Sequence, residues 1–158
     1  MILMLEDDPE RIERFRIATR RIDPSLSLHV WRDAYQMSRE LESHLAAARL
    51  ISLDHDLEAL PGDASDLGDG LLVVKALSQR AQQCPVIIHS SNGTRSDRMA
   101  GEFELAGWTY RRVAPIGERW IEEYWRCVTS ELLGFPPAYS SRRVIDRTRY
   151  QSPDGTIA

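Results

Sequence analysis

Lysine is almost missing from this chain. Lys75 is the only one among 20 basic residues, and the rest are arginines. Arginine suits bidentate phosphate contacts, although genomic base composition produces the same bias. The formal net charge of -4 excludes a surface for general DNA binding. Cysteine is equally scarce. Cys84 and Cys127 have no metal-type spacing and no motif around them, so a zinc module is excluded and reduced thiols are expected. No apolar run is long enough to span a bilayer. The first segment, Ile2-Leu3-Met4-Leu5, reaches acidic residues at once, unlike a signal peptide. A cytoplasmic protein with no membrane association is therefore expected. Internal repeats and low-complexity segments are also absent.

The chain has 158 residues, 42% hydrophobic and 28% charged, which suits one domain with a real core. Strand-like apolar runs alternate with helical-period stretches. Ile2–Leu5 reads as a buried strand, and Asp8-Pro9 as an N-cap with proline at the first helical position. Ile12, Phe15, Ala18 and Ile22 follow at helical spacing. Leu26–Trp31 reads as a second strand and Asp33–Ala48 as a helix with Tyr35, Met37, Leu41 and Leu45 toward the core. Leu50–Leu53 is the third strand, Glu58–Gly68 a polar loop, and Gly70–Ala81 a helix. Pro85–Ile88, Arg95–Ala106, Trp108–Val113 and Glu118–Leu133 complete five βα units. Such alternation predicts a doubly wound parallel α/β sheet. Ligands in such sheets bind beyond the carboxyl ends of the strands.

Three polar clusters fall at strand carboxyl ends: Glu6-Asp7-Asp8, Asp54-His55-Asp56 and His89-Ser90-Ser91-Asn92. Acids there serve stability badly and cation binding well. Uncompensated carboxylates in one cleft repel each other, a cost that a divalent metal removes. Asp8 also reads as the cap of the first helix. His55 is placed either to act as general acid or water-orienting group, or to close a hydrogen bond to the polar loop. His89 precedes Ser90 on one strand, and adjacent strand residues face opposite sides. It is therefore either a core histidine or half of an acid/base pair with His55. Ser90, Ser91 and Asn92 precede a helix start and read as a phosphate cradle or as the N-cap region.

These residues resemble the receiver domain of two-component response regulators over roughly residues 1–133, leaving 134–158 as a C-terminal tail. Ile2–Glu10 looks like the receiver's first strand and acidic pair. Asp54 stands at the phospho-accepting aspartate, Gly68-Asp69-Gly70-Leu71 looks like the turn before the third helix, and Pro85–Ser90 matches the fourth strand. The resemblance implies a flavodoxin-like (βα)5 fold with strand order 2-1-3-4-5. It departs where Ala114 replaces the phosphate-binding lysine and Arg111 the switch aromatic. Arg111 or Arg112 is a candidate for supplying the lost charge. Glu6–Asp8, Leu53–Leu57, Gly68–Gly70 and Ile88–Asn92 together resemble a subgroup, the cyclic-phosphate processing receiver domains.

The resemblance implies Mg²⁺, or Mn²⁺, held by Asp7 and Asp54 directly, Glu6 through water and Asp56 through its backbone carbonyl. Asp54, His55 and His89 are then the expected catalytic residues, with Ser90, Ser91 and Asn92 binding phosphate. The expected activity is a metal-dependent phosphoesterase acting on a phosphate ester, such as a cyclic phosphate of a nucleotide or RNA end. The expected partner is a phosphate-containing small molecule or RNA end. One alternative is a non-catalytic receiver module phosphorylated at Asp54. It would pair with a partner or a second copy through its fourth helix, fifth strand and fifth helix. Another is a Toprim-type nuclease using Glu6, Asp54 and Asp56.

Overall fold

Ile2, Leu3, Met4 and Leu5 have no exposed surface, because helices cover both faces of the strand they form. This is how a parallel sheet comes to contain continuous apolar runs. The computed structural model describes residues 1–59, 61, 62 and 64–136. Its elements are β1 (Ile2–Leu5), α1 (Pro9–Ile22), β2 (Leu28–Trp31), α2 (Ala34–Leu45), β3 (Leu50–Leu53), α3 (Gly70–Ser78), β4 (Val86–Ile88), α4 (Gly93–Leu105), β5 (Tyr110–Arg112), a π-helical turn (Ile121–Trp125) and α5 (Arg126–Leu132). The strands form one parallel sheet in the order β2-β1-β3-β4-β5. The expected tail lies outside the described residues beyond position 136.

Strand alternation divides the core in two. Leu3, Leu5, Ile51, Leu53, Val86 and Ile88 meet α2, α3 and α4. Ile2, Met4, Leu50 and Ile87 meet α1 and the last helical segment. Phe15 centres this second layer, with Trp120 and Trp125 edge-on at 5.5 and 4.7 Å between ring centroids. These tryptophans lie five residues apart. A regular α-helix would not put both on one face, whereas the i→i+5 geometry of a π turn does. An Arg14–Glu122 fork, with both nitrogens 2.8 Å from carboxylate oxygens, ties α1 to this turn.

Some boundaries differ from the sequence expectations. The second strand starts two residues later and the fifth is shorter at both ends, because only Leu28–Trp31 and Tyr110–Arg112 pair with a neighbouring strand. Tyr35 is exposed rather than core. Its hydroxyl donates to Asp66 and its ring packs on Gly68, so it holds the polar loop instead. No helix among the described residues is long and apolar enough to cross a membrane.

Candidate functional site

The parallel register places Leu5, Leu53 and Ile88 side by side on β1, β3 and β4. One residue further, the strands end in Glu6, Asp54 and His89. Their parity matches Met4, Ser52 and Ile87, so all three turn toward the α1 side of the sheet. Glu6 and His89 are fully buried and Asp54 nearly so. One ligand-type atom from each lies within 4.8 Å of the others.

His89 is held from below. The Trp125 indole N–H donates to Ser52 Oγ at 2.9 Å, and Ser52 Oγ lies 2.9 Å from His89 Nδ1. The simplest filling of this network has the Ser52 hydroxyl donating to Nδ1, which leaves a hydrogen on Nε2. That nitrogen stands 3.4 Å from Glu6 Oε2. The ring also packs edge-on against Phe15. His89 is therefore both a core residue and the neighbour of the acid cluster.

Glu6 Oε1 accepts from the Asp8 amide, and Asp7 Oδ2 from the Glu58 amide. Asp54 Oδ1 accepts from the His55 amide. Asp8 caps α1, taking the Glu10 and Arg11 amides. Burial pushes the Asp7 carboxyl above its ordinary range, with Glu6 adding to the effect. Burial likewise pushes Asp54 up to about 6; His89 and Arg11 oppose this and Glu6 reinforces it. Glu6 Oε2, Asp7 Oδ1 and His89 Nε2 are buried without a hydrogen-bond partner. Such groups cost about 1–3 kcal/mol each when unsatisfied. Hard carboxylate oxygens with open lone pairs fit Mg²⁺ or Mn²⁺.

His55 goes the other way, as its parity with Leu53 requires. Its Nδ1 lies 3.1 Å from Asp56 Oδ1 and its Nε2 3.7 Å from Asp69 Oδ2. Asp56 is also bound by Arg95 at 2.6 Å. The two histidines therefore lie on opposite sides of the sheet and do not share one phosphate. Gly70 packs against this corner, its amide donating to His55 O at 3.0 Å. A Cβ at Gly70 would lie 2.1 Å from Asp54 O, so only glycine fits.

A cleft of about 380 Å³ opens over the acids, lined by Asp7, Asp54, Asp56, Arg11, Arg32 and Ser91 among others. Ser91 is exposed on its wall, whereas Ser90 is buried and accepts from the Asn92 amide. The Asn92 side chain accepts from Arg95 N and caps α4. Arg111 and Arg112 do not replace the receiver lysine, because they pair with Glu131 and Asp97. The cations that line the cleft are Arg11 and Arg32, which the sequence reading missed. Two signals were available. Arg11 lies one helical turn after Asp7, and Arg32 follows Trp31, the register partner of Leu5.

Residues 1–104 match the family model for the cyclic-phosphate processing receiver domain. No curated protein matches the chain. Among solved structures, the phosphorylated cyanobacterial phytochrome response regulator RcpA aligns with a TM-score of 0.63 at 16% identity, covering 84% of this chain and 92% of that one. A response regulator receiver domain from Rhodospirillum rubrum gives 0.62 at 16%, covering 86% and 95%. The Mn²⁺-bound response regulator Rcp1 gives 0.58 at 14%, covering 87% and 98%. At these identities the structures establish a shared fold.

Proposed function

The chain belongs to the cyclic-phosphate processing receiver domain family, and from that premise we propose that it is a metal-dependent phosphoesterase that opens a cyclic phosphate on a nucleotide or RNA end. The observation that carries the reading is the row Glu6, Asp54 and His89, with a buried imidazole directly behind a metal-type carboxylate. A domain that only accepts phosphate at Asp54 has no evident use for that histidine.

Asp7 and Asp54, with Glu6 beside them, would hold Mg²⁺ or Mn²⁺; when bound, the ion polarises a phosphoryl oxygen and lowers the pKa of a water on it. Glu6 would be the proton acceptor beside Asp54, with His89 Nε2 facing its Oε2 at 3.4 Å. Ser52 and Trp125 fix the ring, the third-group orientation that acid–base pairs use. Ser91 and the two arginines of the cleft meet the phosphate. His55 positions Asp56 and the α3 start, which keeps Asp54 aimed into the cleft. Turnover of 2′,3′-cyclic nucleotides with either metal, lost on Asp54→Ala, tests the reading; no turnover across cyclic and linear phosphoesters overturns it.

The receiver likeness favours a second reading, a signalling module phosphorylated at Asp54. Ala114 weighs against it, since the lysine that stabilises a receiver's phosphorylated state is missing. A stable acyl-phosphate after treatment with acetyl phosphate would favour this reading over the first. The Toprim-type triad has no support from the family, and the Asp56 carboxylate is taken by Arg95 and His55.

A further inference from the structure

Arg11 lies inside the acid cluster. Its guanidinium stands 3.0 Å from Glu6, 3.7 Å from Asp7, 3.5 Å from Asp8 and 3.3 Å from Asp54. One cation thus faces four carboxylates, where a divalent ion would also bind. The contacts are of charge rather than fit, and Arg11 Nε is buried without a hydrogen-bond partner. Arg14, three residues on, shows the contrast with its two aligned bonds to Glu122. Arg32 lines the same cleft. Its Nε donates to the Asp7 carbonyl at 2.9 Å, and among the described residues it forms no ion pair with a carboxylate. A half-buried guanidinium in that position lacks an anion.

We propose that Arg11 and Arg32 form the phosphate-binding pair of this cleft, and that Arg11 occupies the cation position until a metal displaces it toward the phosphate. The inference rests on the metal-dependent reading above and adds the groups that recognise the ligand's anion. Both arginines line the same cleft as the carboxylates. Guanidinium forks match phosphate oxygens bidentately. Metal and phosphate therefore bind cooperatively: the metal takes the carboxylates, and Arg11 is freed for the anion. The pair takes over the work of the lysine that Ala114 replaces.

Calorimetry and Mn²⁺ electron paramagnetic resonance on the full chain test this, with Mn²⁺ alone and with inorganic phosphate as probes. Arg11→Gln removes a cation competing with the ion and should tighten Mn²⁺ binding roughly tenfold without phosphate. It should also abolish the gain in phosphate affinity that Mn²⁺ gives the wild type. Arg32→Gln should leave Mn²⁺ binding within about twofold and weaken phosphate binding roughly tenfold. Arg11→Lys keeps the charge and should show no tightening, which controls for misfolding of the glutamine variant. Unchanged or weaker Mn²⁺ binding by folded Arg11→Gln overturns the displacement. Phosphate binding that ignores both substitutions overturns the pair. Mn²⁺ binding by neither wild type nor Arg11→Gln fails the metal reading itself, and the proposal with it.

Discussion

His89 Nε2 stands 3.4 Å from Glu6 Oε2, and neither side chain has any exposed surface. The pair sits at the carboxyl ends of two strands separated by β3, whose own end supplies Asp54. A buried carboxylate gains from a positioned donor and loses heavily without one. The imidazole is in turn fixed by Ser52 and Trp125, so four residues share one function.

Replacing His89 by leucine should therefore affect catalysis and stability together. Activity on a cyclic phosphate should fall about 10²–10³-fold in kcat, with KM nearly unchanged. The Ser52 hydroxyl loses its acceptor at Nδ1, at about 1–3 kcal/mol, while the Trp125 N–H keeps Ser52 Oγ. Trp125→Phe keeps the packing on Phe15 and should cost less in kcat than His89→Leu. Steady-state kinetics alongside thermal melts checks the order; equal kcat for His89→Leu and wild type would leave the histidine a purely structural role.

Gly70 tests the link between the α3 start and the metal ligand. A methyl group there would lie 2.1 Å from Asp54 O, so the backbone must shift. Gly70→Ala should cost more than about 2 kcal/mol and weaken Mn²⁺ binding. Gly101 lies inside α4, and a Cβ there meets nothing within 4 Å. Gly101→Ala should stabilise by about 0.5–1 kcal/mol through helix propensity. Urea melts of both variants distinguish local geometry from a generic glycine effect.

Asp54 supplies a pH signature. Its folded-state pKa of about 6 lies above the ordinary 3.8, so the folded chain binds this proton more tightly. The stabilisation is full below the ordinary value and is lost as pH rises through about 6. Without metal, Asp54→Asn should melt above wild type at neutral pH by on the order of 2–3 kcal/mol. The gap should close on acidification toward the ordinary carboxyl value. Adding Mg²⁺ should reverse the order at neutral pH, because only the wild type gains a ligated ion. Melting curves across this range, with and without metal, check the sign.

The βα alternation and helix layers were legible because each apolar run has one period and one length, whereas the strand order came from the resemblance to receiver domains. The metal-type acids were legible because charge at the end of a buried strand has few other uses. His89 was half legible: alternation against Ser90 placed it in the helix layer, but only the shared register of β1, β3 and β4 showed it behind Glu6. The same parity separates His55 from His89, which the clustering of both near acids concealed. Arg11 and Arg32 were hidden because arginine is abundant in this chain, so that one helical turn after Asp7 and the position after Trp31 were weak marks of a cleft. The π turn was hidden because Trp120 and Trp125 suit a helix in composition but not in spacing.

The most direct test of metal-dependent phosphoesterase activity is hydrolysis of the four 2′,3′-cyclic nucleoside monophosphates, followed by ³¹P NMR with Mg²⁺ or Mn²⁺ present. A phosphomonoester product is expected, dependent on metal and absent with Asp54→Ala and Glu6→Gln. Bound metal without product, together with a lasting acyl-phosphate on Asp54 after acetyl phosphate treatment, would contradict it.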